Sequence, residues 1–122
     1  MIGKLGLIMV VVKDMDRSVR FYRDVLGLRL EFTIPQWSQF DAGNIKIGLH
    51  PEGEQVKVSP TSGCTFGFEV TNIESTVAEL KRKGASFLME PHKEDFGWLA
   101  AVSDPDGYII QIFQTAAQAQ PA

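Results

Sequence analysis

The sequence predicts an α+β fold built from two copies of a βαβββ module. Two observations support this prediction: an internal repeat, and the same order of strand and helix patterns in both copies. The repeat aligns Val12–Val19 with Val70–Val77, so that Asp14 corresponds to Asn72 at a separation of 72 − 14 = 58 residues. In each copy an apolar strand is followed by a residue suited to capping a helix, and then by an amphipathic segment.

Each copy contains one predicted helix. Apolar residues recur at helical spacing over residues 15–26 in the first copy and over residues 73–80 in the second. Gly27 and Gly84 follow these helices, and glycine suits the left-handed conformation beyond a helix end. The basic run at residues 81–83 lies in the last turn of the second helix, where cations complement the helix dipole. We therefore interpret this run as a solvated helix end, not as a phosphate site.

Three strand-like segments follow each helix. They are rich in β-branched and aromatic residues and are bounded by turn signals such as Asp104-Pro105-Asp106-Gly107. A longer loop is expected around Pro91–Gly97, and a short link around Glu52–Ser62. The predicted strands are Leu28–Ile34, Trp37–Ala42 and Ile45–His50 in the first copy, and Ser86–Glu90, Trp98–Ser103 and Tyr108–Gln114 in the second.

We expect a single domain over residues 1–122, with one module at 1–58, a second at 62–115 and a disordered tail at 116–122. Two sheets that each bear one helix need cover for their remaining faces. Joined edge to edge, the modules would form an open half-barrel sheet with the helices on its outer face. The concave side of such a sheet is a natural ligand cleft.

Composition narrows the functional class. A net charge of −3 with no dense basic cluster argues against a nucleic-acid partner. The lone Cys64 excludes an internal disulfide and suits a cytoplasmic location. The apolar stretch Leu5–Val12 is too short to cross a bilayer, so no membrane association is expected.

Three stretches of the sequence suggest a family. They are DMDRSVRFYRDVLGL at 14–28, FDAGNIKIGLH at 40–50 and DPDGYIIQIF at 104–113. Together with the duplicated βαβββ order, they make the chain resemble the vicinal oxygen chelate superfamily. That superfamily includes lactoylglutathione lyases, extradiol dioxygenases, fosfomycin-modifying enzymes and bleomycin-binding proteins, so the resemblance implies a fold more specifically than a function.

The resemblance also implies four metal-ligand positions, on the first and last strands of each module, which hold His, Glu or sometimes Gln in the metal enzymes. In this chain they fall on Leu7, Gly48, Thr65 and Gln111. Leu and Gly side chains offer no donor atom, and Thr and Gln are weak ligands for a divalent transition metal. We therefore predict no metal site and no cofactor. Gln111, the single amide in the apolar row of its strand, stands where the family places a ligand.

Two catalytic alternatives remain open. A displaced metal site could be assembled from His50, Glu69 and Gln111. Alternatively, Glu69 could act as a general base if it were desolvated in the cleft, because burial favours the protonated form of a carboxyl group. Either would make the protein a lyase, isomerase or dioxygenase-like enzyme of the same superfamily.

The favoured hypothesis is a metal-independent protein of the glyoxalase/bleomycin resistance type, which holds an aromatic or amphipathic ligand such as an antibiotic in an apolar cleft. Aromatic residues would rim the cleft, and glycines at 48 and 67 would leave room in it. The family resemblance further implies a homodimer. The predicted ligand-binding residues are Leu7, Met9, Trp37, Phe40, Gly48, His50, Thr65, Glu69, Trp98, Ile109, Gln111 and Phe113.

Overall fold

A computed structural model describes residues 1–116 of the chain, and it confirms the α+β class and the duplicated βαβββ order. The chain divides into an N-terminal unit, Met1–Ser59, and a C-terminal unit that begins at Pro60. The N-terminal unit contains β1 (Leu7–Val12), α1 (Met15–Arg20), a π-helical segment (Phe21–Val25), β2 (Arg29–Ile34), β3 (Trp37–Asp41) and β4 (Lys46–Pro51). The C-terminal unit contains β5 (Phe66–Glu69), α2 (Ile73–Arg82), β6 (Ser86–Glu94), β7 (Gly97–Ser103) and β8 (Ile109–Thr115).

The N-terminal unit is a four-stranded sheet in the order β1-β4-β3-β2, with α1 packed on one face. β1 and β4 are parallel, whereas β4, β3 and β2 pair antiparallel. On the helix-covered face the Tyr22 and Phe40 rings lie 5.9 Å apart, and both side chains are fully buried. Ser38 lies on the same face and donates to the sulfur of Met15 at 3.1 Å.

The first helix changes its hydrogen-bond pattern halfway along. Asp14 caps it as predicted, accepting from the amide of Arg17 at 3.0 Å. After Arg20 the backbone bonds lengthen to the i→i+5 type, as in the 3.0 Å bond from the Leu26 amide to the Phe21 carbonyl. Gly27, with φ of 77°, then ends the helix. The apolar spacing predicted one continuous helix here and could not distinguish α from π.

The C-terminal unit repeats the arrangement with the sheet order β5-β8-β7-β6 and α2 on one face. Asn72 caps α2 by accepting from the Ser75 amide at 3.0 Å. Ile73, Val77 and Leu80 form the buried face of this helix. Within residues 1–116, no helix has the length and apolar character needed to span a membrane.

The loop predicted around Pro91–Gly97 was wrong in extent. β6 continues through Pro91 to Glu94, and its pairing with β7 shifts register between Phe87 and Met89 and again between Met89 and His92. These bulges leave extra residues unpaired, which is how a strand accommodates a proline that has no N–H to donate.

One residue of the predicted tail 116–122 lies in the described part of the chain: the amide of Ala116 donates to the carbonyl of Phe96 at 2.8 Å. The remainder of that prediction, residues 117–122, lies outside the described residues.

Candidate functional site

In each unit the helix covers one face of the sheet, and we call the opposite face the open face. On the open face of the N-terminal sheet, β1 contributes Leu7 and Met9, which are 43% and 45% exposed. The register pairs Met9 with Gly48 and Leu7 with Lys46 on β4. Side chains alternate along strands, so these residues and His50 share one face. The structure thus places four of the predicted ligand-binding residues, Leu7, Met9, Gly48 and His50, on a common surface.

Trp37 covers Gly48 on this open face. A Cβ atom added to Gly48 would lie only 1.9 Å from Cζ2 of the Trp37 indole. Gly48 was expected to leave an empty space for a ligand, and that expectation was wrong because the indole occupies the space. The indole edge also faces the ring of His50, with centroids 6.3 Å apart.

A chain of hydrogen bonds fixes the indole and connects it to charged groups. The Trp37 Nε1–H donates to Oε1 of Gln39 at 3.1 Å, and Nε2 of Gln39 donates to Oε1 of Glu31 at 3.1 Å. Glu31 then accepts from Nζ of Lys46 at 2.6 Å and from Arg29 at 3.2 Å. The open face therefore has an apolar side, with Leu7 and Met9, and a polar side.

The polar side contains two carboxylates, Glu31 and Asp41, and Asp41 also accepts from Arg29 at 3.1 Å. Both are held in their ionised form. The hydrogen bond from Lys46, followed by that from Gln39, lowers the pKa of Glu31 below its ordinary value. The pKa of Asp41 is lowered chiefly by the backbone amide of Gly43 and then by Arg29. Neither carboxyl group is poised to take a proton near neutral pH, so this network serves to fix side chains.

His50 is oriented by its own strand end. Its Nδ1 lies 2.6 Å from the carbonyl oxygen of Pro51, and a carbonyl can only accept, so Nδ1 bears the hydrogen. In the neutral ring the lone pair is therefore on Nε2. Nε2 is thus the ring nitrogen of His50 that could accept a hydrogen bond or bind a metal ion.

The open face of the C-terminal sheet carries the predicted residues of β5 and β8. Gly67 pairs with Gln111, and Glu69 pairs with Phe113, all on one face. Ile109 lies on the same face and is 38% exposed. Thr65 is exposed and directly precedes β5. Within residues 1–116, no partner for the Gln111 amide is found, and Gln111 is partly exposed on this face.

Two aromatic residues were assigned to the wrong face. Phe40 is fully buried against Tyr22 under α1, so it belongs to the core. Trp98 pairs with Gln114 on the helix side of its sheet, opposite to Gln111. The prediction grouped aromatics by their proximity to hairpins, whereas alternation along β3 and β7 sets the direction of each side chain.

The residues at the family's metal-ligand positions do not fit a metal ion. Leu7 and Gly48 supply no donor atom, and the place where a side chain at position 48 would project is filled by the Trp37 ring. Thr65 and Gln111 are neutral oxygen donors, which suit a transition metal poorly. No group of three or more His, Cys, Asp or Glu side chains that could hold a metal is present in the described part of the chain.

The alternatives built on Glu69 receive little help from the C-terminal unit. Glu69 is exposed at the end of β5, so this unit does not provide the desolvation that a general base there would need. Of the three groups suggested for a displaced metal site, Glu69 and Gln111 share an open face, while His50 belongs to the other unit.

Sequence reasoning missed the Glu31–Gln39–Lys46 network. The signal was present in part, since alternation along β3 places Gln39 on the same face as Trp37. Alternation also places Glu31 on this face, next to Leu30, but its contact with Gln39 depends on the register shift between Leu30 and Phe32, which the sequence does not reveal.

Comparisons with known proteins agree with this geometry. The family model described as "Glyoxalase/Bleomycin resistance protein/Dioxygenase superfamily" matches residues 4–112. The chain is 30% identical over 124 residues to a "Probable lactoylglutathione lyase" of Synechocystis sp., covering 90% of this chain and 94% of that protein. Its fold is similar to that of TnmS3, "an antibiotic binding protein from Streptomyces sp. CB03234", with a TM-score of 0.80, 22% identity and coverage of 94% and 98% of the two chains. TioX from Micromonospora sp. is also similar, with a TM-score of 0.77, 20% identity and coverage of 93% and 99%. The chain therefore belongs to the glyoxalase/bleomycin resistance protein/dioxygenase superfamily.

Proposed function

We propose that the protein binds an aromatic or amphipathic small molecule on its open faces without a metal ion. The observation on which this proposal depends is the Trp37 indole, which lies over Gly48 on the same open face as the exposed side chains of Leu7 and Met9. Exposed apolar side chains next to an aromatic ring fixed by hydrogen bonds are typical of a site for an organic ligand.

The chemistry of the N-terminal open face suits an amphipathic molecule. Leu7 and Met9 offer apolar contact, and the flexible thioether of Met adapts to irregular shapes. On the polar side, Lys46 and Arg29 are 39% and 68% exposed, so they could contact polar groups of a ligand while still paired with Glu31.

The C-terminal open face would contribute in a similar way. Ile109 and Phe113 flank the amide of Gln111, which has both donor and acceptor atoms to orient a ligand. Thr65 and Glu69 are further proposed contacts on the C-terminal unit, and His50 is a further proposed contact on the N-terminal unit. The description of TnmS3 as an antibiotic binding protein supports an antibiotic as the class of ligand to test first.

Three further features belong to the same proposal. A single domain made of the two modules is proposed from the internal repeat, and a homodimer is proposed because the family resemblance implies it. A cytoplasmic location is proposed because the lone Cys64 is a free thiol, which suits a reducing compartment.

The two tryptophans permit a site-specific test. The chain contains only Trp37 and Trp98, so Trp98→Phe leaves Trp37 as the sole indole reporter of the N-terminal open face. Fluorescence of this variant would be titrated with bleomycin and with doxorubicin in the presence of a chelator. A saturable change that Met9→Lys weakens is expected. The matched Trp37→Phe variant, which reports only from the helix side, should respond much less.

The proposal fails if neither compound, nor a broader panel of planar and amphipathic antibiotics, produces a saturable change of Trp37 emission. It also fails if saturation requires added divalent metal. Binding that persists unchanged in Met9→Lys would place the ligand elsewhere.

A second candidate function is favoured by the sequence relatives, because the Synechocystis protein is named a probable lactoylglutathione lyase. Formation and cleavage of lactoylglutathione should therefore be measured by ultraviolet absorbance, with chelated protein and with protein supplied with Zn²⁺ or Ni²⁺. Metal-dependent turnover that is lost on substitution of His50 would favour this candidate over the binding protein.

A further inference from the structure

The C-terminal unit contains a groove on its helix side, opposite to the open face. Its volume is about 730 Å³, within the range of small-molecule sites. It lies between α2 and strands β6, β7 and β8. The residues that line it are Asn72, Ile73, Glu74, Val77, Ala78, Lys81, Glu90, Pro91, Trp98 and Gln114.

One wall of the groove is apolar and aromatic. Trp98 is 39% exposed, although it projects from the helix side of the sheet, where neighbouring β7 residues such as Ala100 and Val102 are fully buried. Val77, Pro91 and the small side chain of Ala78 on α2 also line the groove. A flat ring could lie against Trp98 in this position.

Gln114 lines the groove, and the oxygen of its side-chain amide is already hydrogen-bonded. Gln114 is only 7% exposed, and its Oε1 accepts from the amide of Ile73 at 2.7 Å, which satisfies the first N–H of α2. Because Oε1 must face that N–H, the orientation of the amide is determined, and Nε2 is its other end. Within residues 1–116, no acceptor for Nε2 is found, while Gln114 lines the groove. A donor in the lining of a groove that has no acceptor among the described residues is a place where a ligand oxygen could bind.

The charges at the rim indicate that this oxygen is neutral. Glu74 and Glu90 both line the groove, and Glu90 is paired with Lys81 at 2.5 Å. Lys81 is further engaged above the ring of Phe87, at 5.3 Å from its centroid. Among the described residues that line the groove, the charge of Lys81 is therefore balanced by that of Glu90. Glu74 adds a further negative charge, which disfavours an anionic ligand.

We propose that this groove is a second binding site, for a neutral aromatic molecule that bears a carbonyl oxygen. The ring lies against Trp98, and the carbonyl oxygen accepts from Nε2 of Gln114. This site is independent of the open faces, because Gln114 and Gln111 lie on opposite faces of the same strand.

The test uses 2-acetylnaphthalene as the probe and 2-ethylnaphthalene as its matched partner without an acceptor oxygen. Titration of the ¹⁵N-labelled protein is followed in a heteronuclear correlation spectrum, where the Trp37→Phe variant assigns the indole signal of Trp98. The ketone should shift the Trp98 indole and the Gln114 amide signals with little effect on Trp37. The hydrocarbon should bind roughly tenfold more weakly, which corresponds to the loss of one hydrogen bond to the ligand.

Gln114→Glu provides the decisive variant, because it keeps the oxygen that accepts from Ile73 and replaces the NH₂ donor by a second acceptor. It should weaken binding of the ketone by roughly tenfold. Gln111→Glu makes the same chemical change on the opposite face and should leave this affinity unchanged.

Three results would overturn the proposal. The first is equal affinity of the two naphthalenes for the wild-type protein, which can be measured even if Gln114→Glu does not fold. The second is a shift map centred on Trp37. The third is equal loss of affinity in the two glutamate variants. Since antibiotic binding is monitored separately through Trp37, failure here would not imply failure of the proposed function.

Discussion

Replacing Gly48 with alanine would test whether Trp37 really occupies the face above β4. The added Cβ would lie 1.9 Å from Cζ2 and 2.4 Å from Cη2 of the indole. Carbon atoms pack at about 3.5–4.0 Å, so the ring must move by at least about 1.6 Å. Such a shift strains or breaks the 3.1 Å bond from Nε1 to Gln39. Overpacking of this kind costs about 1–3 kcal/mol, or about 4–12 °C in Tm for a domain of this length.

The measurement is denaturant unfolding of wild type, Gly48→Ala, Trp37→Ala and the double variant. Alanine in place of strand glycine otherwise stabilises by about 0.4–1 kcal/mol, so Gly48→Ala should become neutral or stabilising once the indole is removed. Gly53→Ala is the matched control, because a Cβ there meets no atom within 4 Å. If Gly48→Ala were as stable as wild type, with unaltered Trp37 fluorescence in a Trp98→Phe background, the indole would not lie where we place it.

Three other perturbations have expected outcomes. Gln114→Leu removes the acceptor of the Ile73 amide and should lower the free energy of unfolding by about 1–2 kcal/mol; a change below 0.3 kcal/mol would contradict that role. The carbonyl of Glu90 and then the carboxylate of Glu94 raise the pKa of His92 above its ordinary value. The contribution of His92 to the free energy of unfolding should therefore be complete below its unfolded pKa of about 6.5 and be lost as pH rises through its folded pKa. A midpoint of about 6.5 or lower in an NMR titration of His92, or a midpoint that Glu94→Gln does not alter, would refute this. Zn²⁺, Ni²⁺, Mn²⁺, Fe²⁺ or Co²⁺ added to chelator-treated protein should leave Tm unchanged, whereas a metal at one hundred times its Kd would add about 2.7 kcal/mol of stability and raise Tm by several degrees.

The fold was largely predictable because its signals are local. Asp14 and Asn72 cap the two helices at equivalent places in the repeat, and both caps are present in the structure. The hydrogen-bond pattern inside a helix is harder to predict from the sequence, because the π-helical segment Phe21–Val25 has the same apolar spacing as an α-helix. The extension of β6 past Pro91 was missed because bulges depend on the partner strand.

The candidate site was predictable only where alternation along a strand determines the face. Leu7, Gly48 and Gln111, which were selected by registering the chain on flanking motifs, all lie on open faces. The prediction failed for Phe40, which was treated as a rim residue although its strand directs it into the core. It also failed to anticipate that the ring of Trp37 reaches across to β4, because contacts between strands depend on pairing register and on side-chain rotamer.

Two features of the N-terminal open face are linked by the contact between Gly48 and Trp37. Position 48 has no side chain that could bind a metal ion, and the space above it is filled by an aromatic ring. A His or Glu at position 48 would project into the volume that the indole now fills, so the two side chains exclude each other. Conversion from a metal-binding to an organic-binding face would then require both positions to change. We expect family members with a His or Glu at the position of Gly48 to have a smaller or displaced side chain at the position of Trp37. An alignment of superfamily sequences against known metal content would test this, and frequent coexistence of a bulky ring with a ligand-bearing residue would show that the indole is no obstacle to metal binding.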